Sequence, residues 1–305
     1  MKKIIIIAGP TAVGKTSLSL DLCNYIGGEV VSADSMQVYR TLDIGTAKPS
    51  FQERRGIPHH MIDVCDPHVR YSVAEYVSSA VNAIEDIMTR GKIPVIVGGT
   101  GLYIDHLLYN TSFAEGDTNP ELRLELFKRA EIEGGAVLKR ELANFDPESA
   151  ERLHDNDIKR IIRAIEFYQT SGVTITEHNK RNELLSKRYD AAFYVLTCEN
   201  REELYSRINR RVDVMMNNGL LDEARYVCGS EWFSSSTASQ AIGYKEFLPF
   251  FKEETSLEEC IEKLKQHSRN YAKRQLTWFR AKKDAIFLDI NCRSSLLDII
   301  TKGEY

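Results

Sequence analysis

Apolar residues form an unbroken run at positions 4–8, and apolar positions then recur at helical spacing from 15 to 26. An unbroken run of this length predicts a strand covered on both faces, so the chain opens with a strand, a loop and a helix. Further strands are predicted at 29–32, 60–64, 93–97 and 192–197, with helices between them, notably 73–90. This alternation predicts an α/β fold built on a parallel sheet with helices on both faces.

The pattern changes between residues 120 and 187, where charged helical segments follow one another with no strand among them. The strand pattern returns at 192–197, and residues 201–283 are mainly helical in pattern. We therefore expect an α/β core of residues 1–119 and 188–305, interrupted by a helical insertion domain of residues 120–187.

Composition limits the cellular compartments and the partners that are expected for this chain. A net charge of −4 means that any nucleic-acid surface must be local, built from clustered lysines and arginines. Six cysteines without metal-binding or paired spacing fit reduced thiols in the cytoplasm. The apolar run at 4–8 is shorter than the roughly 7–15 residues of a signal-peptide core. No run approaches the roughly 20 apolar residues of a membrane span, so we expect no membrane association.

The segment GPTAVGKT matches the phosphate-binding pattern GxxxxGK[ST], between a strand and a helix as that motif requires. Backbone N–H groups and the helix N-terminus would bind phosphate oxygens, Lys15 would neutralise charge, and the Thr16 hydroxyl can hold Mg²⁺. The motif predicts a bound di- or triphosphate but does not say which bond reacts. The predicted diphosphate- or nucleotide-binding residues are Gly9, Pro10, Thr11, Ala12, Val13, Gly14, Lys15 and Thr16.

A second segment, SADSMQVYR, begins where the second predicted strand ends. Asp34 would face the same crevice as the phosphate loop and could accept a proton from a nucleophile, or it could cap a helix or orient Mg²⁺. The amide of Gln37 could recognise the edge of a base. Tyr39 and Arg40 are either stacking and phosphate contacts or ordinary surface residues.

Nine motifs then occur in order along residues 4–283. They are GPTAVGKT, SADSMQVYR, IGTAKP, PHHMID, VGGTGLY, RIIRAIE, GLLDEAR, IGYKEF and YAKRQLTWFR. Together they resemble those of the tRNA dimethylallyltransferases, of the compact bacterial type. The resemblance implies a P-loop core similar to nucleotide kinases, with an insertion that helps to enclose the tRNA anticodon stem-loop. It also implies transfer of a dimethylallyl group from its diphosphate to the exocyclic amine of the adenine 3′ of the anticodon.

The resemblance also implies roles for single residues. Asp34 matches the proposed catalytic base, and Thr100 matches a threonine at the substrate site, although a helix N-cap is the alternative for it. A family arginine approaches the diphosphate, and of Arg207, Arg210 and Arg211 we expect it to be Arg211. The diphosphate on the phosphate loop would then be a leaving group, with Mg²⁺ as the expected cofactor at Thr16.

Several residues are expected to contact tRNA. Arg269, Lys273 and Arg280 fall within about 40° on a helical wheel, which predicts one basic face, with Tyr271, Trp278 and Phe279 on the core side. His59 and His60 are expected to be structural, and Asp63 either assists Mg²⁺ or caps a turn. The predicted tRNA-binding residues are Asp34, Ser35, Met36, Gln37, Arg123, Lys159, Arg160, Ile161, Ile162, Arg163, Lys273, Arg274 and Arg280. We expect a monomer.

Two other functions compete with this interpretation. A P-loop kinase would use Asp34 as a base toward an acceptor hydroxyl of a small molecule or nucleotide. A non-catalytic RNA-binding protein would use the phosphate loop as a switch. The helical insertion and the motif YAKRQLTWFR argue against a small kinase, and the positions of Asp34 and Thr100 argue against the non-catalytic protein.

Overall fold

The computed structural model describes residues 3–109, 119–183, 185–292, 297–298 and 300. Its centre is a six-stranded parallel sheet with the strand order β3-β2-β4-β1-β5-β6, which confirms the predicted α/β class. The strands are β1 Lys3–Ala8, β2 Glu29–Ala33, β3 His59–His60, β4 Pro94–Gly98, β5 Asp190–Thr197 and β6 Ile286–Asp289.

Twelve α-helices lie within the described residues, and the predicted helix at 15–26 has the bounds that the sequence indicates. A capping box explains where the second helix begins, because Ser72 and Glu75 each bond the backbone N–H of the other. The helices are α1 Lys15–Ile26, α2 Val73–Thr89, α3 Gly101–Leu108, α4 Pro120–Glu133, α5 Gly135–Ala143, α6 Pro147–Arg152, α7 Ile158–Ser171, α8 Ile175–Glu183, α9 Arg201–Asn217, α10 Leu220–Gly229, α11 Leu248–Phe251 and α12 Leu257–Arg280.

Two strands differ from the prediction. The strand expected at 60–64 ends at His60, because Met61 and Asp63 adopt left-handed backbone conformations that break a strand. β6 was not predicted at all. It is a short edge strand paired to β5, and its side chains Ile286 and Phe287 are largely exposed, so its sequence gives little periodic signal.

The chain forms two compact units. One comprises the residues up to Leu108 and those from Arg188 onward, and the other comprises Tyr109–Lys187. Residues 110–118, next to the predicted boundary at 119 and 120, lie outside the described part. Each unit has its own buried apolar cluster, built around Ile5, Leu22 and Leu196 in the first and around Leu138 and Ile165 in the second.

Three strands of the first unit end side by side. Ala8 of β1 and Ala33 of β2 are both paired to Gly98 of β4. A Cβ on Gly98 would fall 2.1 Å from the carbonyl oxygen of Ala33, so this close approach requires glycine. The segments that follow these strands therefore leave the sheet at one edge, as expected for the binding edge of a parallel sheet. Within the described residues, no helix has both the length and the apolar character needed to cross a membrane.

Candidate active site

The phosphate loop connects β1 to α1. Gly9 and Gly14 have φ angles of 141° and 93°, and a Cβ on Gly9 would lie 2.5 Å from the carbonyl oxygen of Leu196. Both positions therefore need glycine. Because α1 begins at Lys15, the loop runs directly into a helix N-terminus, which favours an anion.

Lys15 is held inside this loop. Its Nζ donates hydrogen bonds to the carbonyl oxygens of Gly9 and Pro10, at 2.9 and 2.7 Å. Burial and the neighbouring charge of Arg211 lower the pKa of Lys15 to about 7, against an opposing effect of Asp34. An anion bound beside Lys15 would add to the effect of Asp34 and favour the charged form of the Lys15 amine.

Asp34 follows β2 and is fixed by its own turn. Its Oδ1 accepts hydrogen bonds from the backbone N–H groups of Met36 and Gln37, at 2.9 and 3.3 Å. The side chain is half-buried and lines the same cavity as Lys15. The carboxylate is therefore held in one orientation where it can accept a proton.

Thr100 lies immediately before α3, but its hydroxyl does not cap that helix. The Oγ1 atom accepts a hydrogen bond from the backbone N–H of Ser35, at 3.0 Å. Thr100 thus ties the end of β4 to the segment that carries Asp34. Among the described residues, no hydrogen bond joins this hydroxyl to the first turn of α3, whereas it bonds both the backbone and the hydroxyl of Ser35.

The three candidate arginines of α9 have different surroundings. Arg207 pairs with Glu203 at 2.8 Å, and Arg210 is exposed. Arg211 is half-buried, and burial lowers its pKa although Asp34 and Glu53 act in the opposite direction. Of the three, Arg211 is the one whose charge acts on Lys15.

A cavity of about 1090 Å³ joins these groups within the first unit. The phosphate loop, Asp34 and Arg211 supply its charged part, while side chains of α9 and α12 supply an apolar wall. Such a cavity can hold an anion beside a short apolar group and present both to a base. Residues of the apolar wall include Ile208, Val212, Met215 and Leu264.

Comparison with known proteins identifies the family. A family model described as IPP transferase matches residues 37–282, and one described as isopentenyl transferase matches residues 2–67. The chain belongs to the IPP transferase family. The family that the sequence motifs indicate is thereby confirmed.

Relatives of this IPP transferase family chain match it over nearly its full length. Proteins named tRNA dimethylallyltransferase from Halothermothrix orenii and Bacillus cytotoxicus are 48% and 47% identical, and the matches cover 94% and 98% of this chain and 88% and 94% of theirs. A tRNA isopentenylpyrophosphate transferase structure from Staphylococcus epidermidis is 43% identical, with a TM-score of 0.72, covering 99% and 98%. A structure of a eukaryotic dimethylallyltransferase acting on tRNA is 34% identical, with a TM-score of 0.82, covering 99% and 78%.

Two side chains that bond the backbone of other segments are not among the predicted site residues of this member of the IPP transferase family. The side-chain oxygen of Gln275 accepts a hydrogen bond from the N–H of Thr11 at 2.9 Å, and its nitrogen donates one to the carbonyl oxygen of Gly99 at 3.0 Å. Glu223 bonds the backbone of residues 43–45. Both lie in quoted motifs, YAKRQLTWFR and GLLDEAR, but neither motif indicates the partners.

The segment after Asp34 is more internally bonded than the sequence indicates. Ser32 donates to the amide oxygen of Gln37, whose nitrogen donates to the carbonyl oxygens of Thr46 and Ala47, at 3.2 and 3.3 Å. Recognition of a base by Gln37 stays a prediction. Tyr39 is fully buried, so both alternatives that the sequence leaves open for it, a stacking contact and a surface residue, are wrong.

The second unit contains the expected RNA-contacting helix α7. Lys159 and Arg160 are exposed in its first turn. Arg123 and Arg163 both bond the buried carboxylate of Glu166, at 2.6 and 3.2 Å.

Two of the expected tRNA contacts in α7 must be corrected. Ile161 and Ile162 are buried in the apolar cluster of the second unit, so their side chains cannot contact RNA. They are core residues of a helix whose opposite face is charged.

The last long helix, α12, carries an exposed basic patch formed by Lys273 and Arg280, which lie about 20° apart on a helical wheel. Arg274 is exposed about 100° away from Lys273 and lines the cavity. Arg269 does not extend it, because its guanidinium bonds Asn209 at 2.7 Å and lies over the ring of Tyr205. Phe279 is buried as predicted.

Trp278 does not belong to the core side of α12. It is 40% exposed and donates a hydrogen bond to Asp105 at 3.0 Å. The ring lies against Gly101, where a Cβ would come within 2.2 Å of it.

The two neighbouring histidines are structural, as predicted. His60 bonds Glu29 at 2.8 Å, and His59 bonds the carbonyl oxygen of Ile57. Asp63 pairs with Lys48 at 2.6 Å. Among the described residues, no group of three or more His, Cys, Asp or Glu side chains could hold a metal ion.

Proposed function

We propose that this protein transfers a dimethylallyl group from dimethylallyl diphosphate to the exocyclic amine of the adenine 3′-adjacent to a tRNA anticodon, and releases pyrophosphate. The observation that carries the proposal is the cavity that brings together a phosphate loop, a fixed carboxylate and an apolar wall. Membership of the IPP transferase family, with relatives named tRNA dimethylallyltransferase, supports tRNA as the substrate.

The diphosphate would lie on the phosphate loop, with its dimethylallyl tail toward the apolar wall. Lys15 would give up its hydrogen bonds to the loop carbonyls and bind phosphate oxygens. Arg211 would bind from the opposite side, from α9. With the diphosphate bound, these two cations would stabilise the negative charge that grows on it as its bond to carbon breaks.

The adenine amine is a weak nucleophile, because its lone pair is delocalised into the ring. As the new N–C bond forms and the C–O bond to the diphosphate breaks, Asp34 takes the proton that the amine loses. A positioned base of this kind contributes roughly 10²–10⁴-fold. Thr100, bonded to the N–H of Ser35, would keep this segment in register with the end of β4.

Mg²⁺ fits the residues present. The Thr16 hydroxyl lies at the N-terminus of α1 and lines the cavity, and Mg²⁺ commonly takes one or two protein ligands together with phosphate oxygens. Thr16 would hold the ion when the diphosphate binds. The bound ion would supply charge neutralisation for the leaving group.

The tRNA anticodon stem-loop would be bound by local basic groups. Lys159 and Arg160 on α7 and the basic patch on α12 are exposed and suited to phosphate contacts. The target adenine must leave its stack to reach Asp34, and Ser35, Met36 and Gln37 would line its pocket. Arg123 and Arg163 would add contacts while remaining bonded to Glu166. We also propose that this protein is a monomer and that it is cytoplasmic.

A P-loop kinase is the competing function, since a phosphate loop and a carboxylate would also serve phosphoryl transfer. Mass spectrometry of tRNA incubated with the protein, Mg²⁺ and either dimethylallyl diphosphate or ATP separates the two. A mass increase of one dimethylallyl group on the anticodon-loop adenosine, only with the diphosphate, is expected. No modification of tRNA, together with consumption of ATP by a small acceptor, would contradict the proposal.

A further inference from the structure

A carboxylate outside the cavity lining holds the loop of residues 43–47. Glu223, in the first turn of α10, accepts hydrogen bonds from three consecutive backbone N–H groups. They belong to Asp43, Ile44 and Gly45, at 3.2, 2.8 and 2.9 Å. Hydrogen bonds from backbone N–H groups to a carboxylate are roughly twice as strong as neutral ones. The loop is therefore anchored on one charged side chain from a distant helix.

Tyr244 completes this anchor. Its hydroxyl donates to Glu223 at 2.9 Å, and its ring packs on Gly45, where a Cβ would come within 2.7 Å of the ring. Burial, with a contribution from the charge of Glu223, raises the pKa of Tyr244 well above its ordinary value, so the hydroxyl stays a neutral donor. The loop is thus fixed from two sides.

The anchored loop leads to the segment that carries Asp34. The carbonyl oxygens of Thr46 and Ala47 accept the two hydrogen bonds from the amide nitrogen of Gln37. These bonds decide which side of the amide presents nitrogen and which presents oxygen. The backbone N–H of Gln37 in turn bonds the carboxylate of Asp34.

We propose that Glu223 is a positioning residue, which acts through the loop 43–47 to set the orientation of the Gln37 amide beside Asp34. Glu223 itself touches neither substrate. The inference rests on the proposed function, in which Gln37 and Asp34 face the target base. Without the carboxylate, three N–H donors lose their acceptor and the two long hydrogen bonds to Gln37 lose their fixed partners.

The test compares Glu223→Gln with Asp222→Asn. Both replace an acid by its amide in the first turn of α10, so both change the charge at that helix N-terminus equally, but Asp222 is exposed. We expect Glu223→Gln to lower kcat/KM for tRNA about ten- to hundredfold, since small misplacements of positioned groups cost that much. The Kd for dimethylallyl diphosphate should stay within about twofold in both variants.

A double-mutant cycle with Gln37→Ala separates positioning from general damage. On that background, Glu223→Gln should add less than about twofold, because its effect is transmitted by Gln37. Gly45→Ala is a second way to displace the loop, because the new methyl group meets Tyr244 while Glu223 stays intact. Its effect on kcat/KM should also disappear on the Gln37→Ala background. If Glu223→Gln does not fold, Gly45→Ala decides.

Two outcomes overturn this inference alone. One is a wild-type kcat/KM in both Glu223→Gln and Gly45→Ala. The other is that Glu223→Gln lowers kcat/KM on the Gln37→Ala background by as much as it does in the wild type. A wild-type protein that transfers no dimethylallyl group would overturn the proposed function and this inference with it. Transfer by the wild type and by Asp222→Asn keeps the two failures distinguishable.

Discussion

Gln275 and Thr11 are joined by a hydrogen bond of 2.9 Å, from the backbone N–H of the phosphate loop to a side-chain oxygen of α12. The nitrogen of the same amide donates to the carbonyl oxygen of Gly99, next to Thr100. Gln275 is buried, so both bonds are made away from water. The Gln275 amide therefore holds the phosphate loop at a fixed distance from Gly99 and Thr100, which follow β4.

Gln275→Ala should lower turnover about ten- to hundredfold, because the two loops lose their shared partner. Gln275→Glu keeps the acceptor for Thr11 but sets a carboxylate against the Gly99 carbonyl, and it should be impaired as well. Gln266→Ala is the matched control, since Gln266 is exposed on the same helix. Steady-state kinetics with tRNA and dimethylallyl diphosphate measures all three. Equal rates for Gln275→Ala and Gln266→Ala would mean that the link does not matter.

Binding of dimethylallyl diphosphate should take up a proton at alkaline pH. The pKa of Lys15 is lowered to about 7, so the amine is mostly neutral at pH 8 and charged at pH 6. An anion restores its ordinary pKa near 10.4, so about one proton enters at pH 8 and almost none at pH 6. Calorimetry in buffers of different ionisation enthalpy measures this uptake. Lys15→Arg, which stays charged, should show none, and equal uptake by both proteins would contradict the assignment.

Lys15→Ala should weaken dimethylallyl diphosphate binding and turnover while leaving tRNA affinity nearly unchanged. The amine lies among the loop carbonyls and not on an exposed surface. Fluorescence titration with tRNA and with the diphosphate separates the two affinities. A parallel loss of tRNA binding would contradict this division of roles.

Asp34→Asn should reduce the single-turnover rate by about two to four orders of magnitude. The amide oxygen can still accept the N–H groups of Met36 and Gln37, so the turn and both affinities should change little. Asp66→Asn is a suitable control, because the Asp66 carboxylate pairs with Arg40 at the surface. Rapid-quench measurements with saturating substrates give the rate. Near-normal turnover in Asp34→Asn would remove this residue from the role of base.

The basic patch on α12 predicts a change in the salt dependence of tRNA binding. Replacing Lys273 and Arg280 by alanine should lower affinity and reduce the slope of log affinity against log salt by about 1–1.5. Lys263→Ala, exposed about 90° away on the same helix, is the control. Filter binding at several salt concentrations measures the slope. If the double variant keeps the wild-type slope, the patch is an ordinary solvated surface.

Glu29 predicts a loss of stability in acid. Its buried carboxylate bonds Arg90, Lys92 and His60, at 2.5 to 2.8 Å, and the hydrogen bonds from Arg90 hold the pKa of Glu29 well below its ordinary value. Because the folded-state pKa is the lower one, this stabilisation is present above about pH 4.3, the unfolded value, and is lost as pH falls toward the folded one.

Glu29→Gln should therefore lower the free energy of unfolding by about 1–3 kcal/mol at pH 7 and by less at pH 4. Urea unfolding followed by the fluorescence of Trp232 and Trp278 reports on the unit that contains Glu29. Glu254→Gln, at an exposed position in the same unit, should stay within about 0.5 kcal/mol at both pH values. A Glu29→Gln penalty that is the same at both pH values would contradict the linkage.

The sequence by itself determined the features that depend on neighbouring residues. The phosphate loop, α1, α2 and the parallel arrangement follow from local periodicity and from motifs of a few residues, because hydrogen bonding within a turn or helix is local. The order of the nine motifs also determined the family. The strand expected at 60–64 shows the limit, since two left-handed residues there carry no clear signal.

Only the tertiary structure decided which side chains meet. Thr11 and Gln275 are separated by 264 positions, and Ile44 and Glu223 by 179. Whether a glutamine or glutamate contacts another segment depends on how helices pack on the sheet. The same packing buries Ile161 and Ile162 beside the exposed Lys159 and Arg160, and it pairs two arginines with Glu166. These contacts arise from long-range burial, which residue spacing along the chain does not encode.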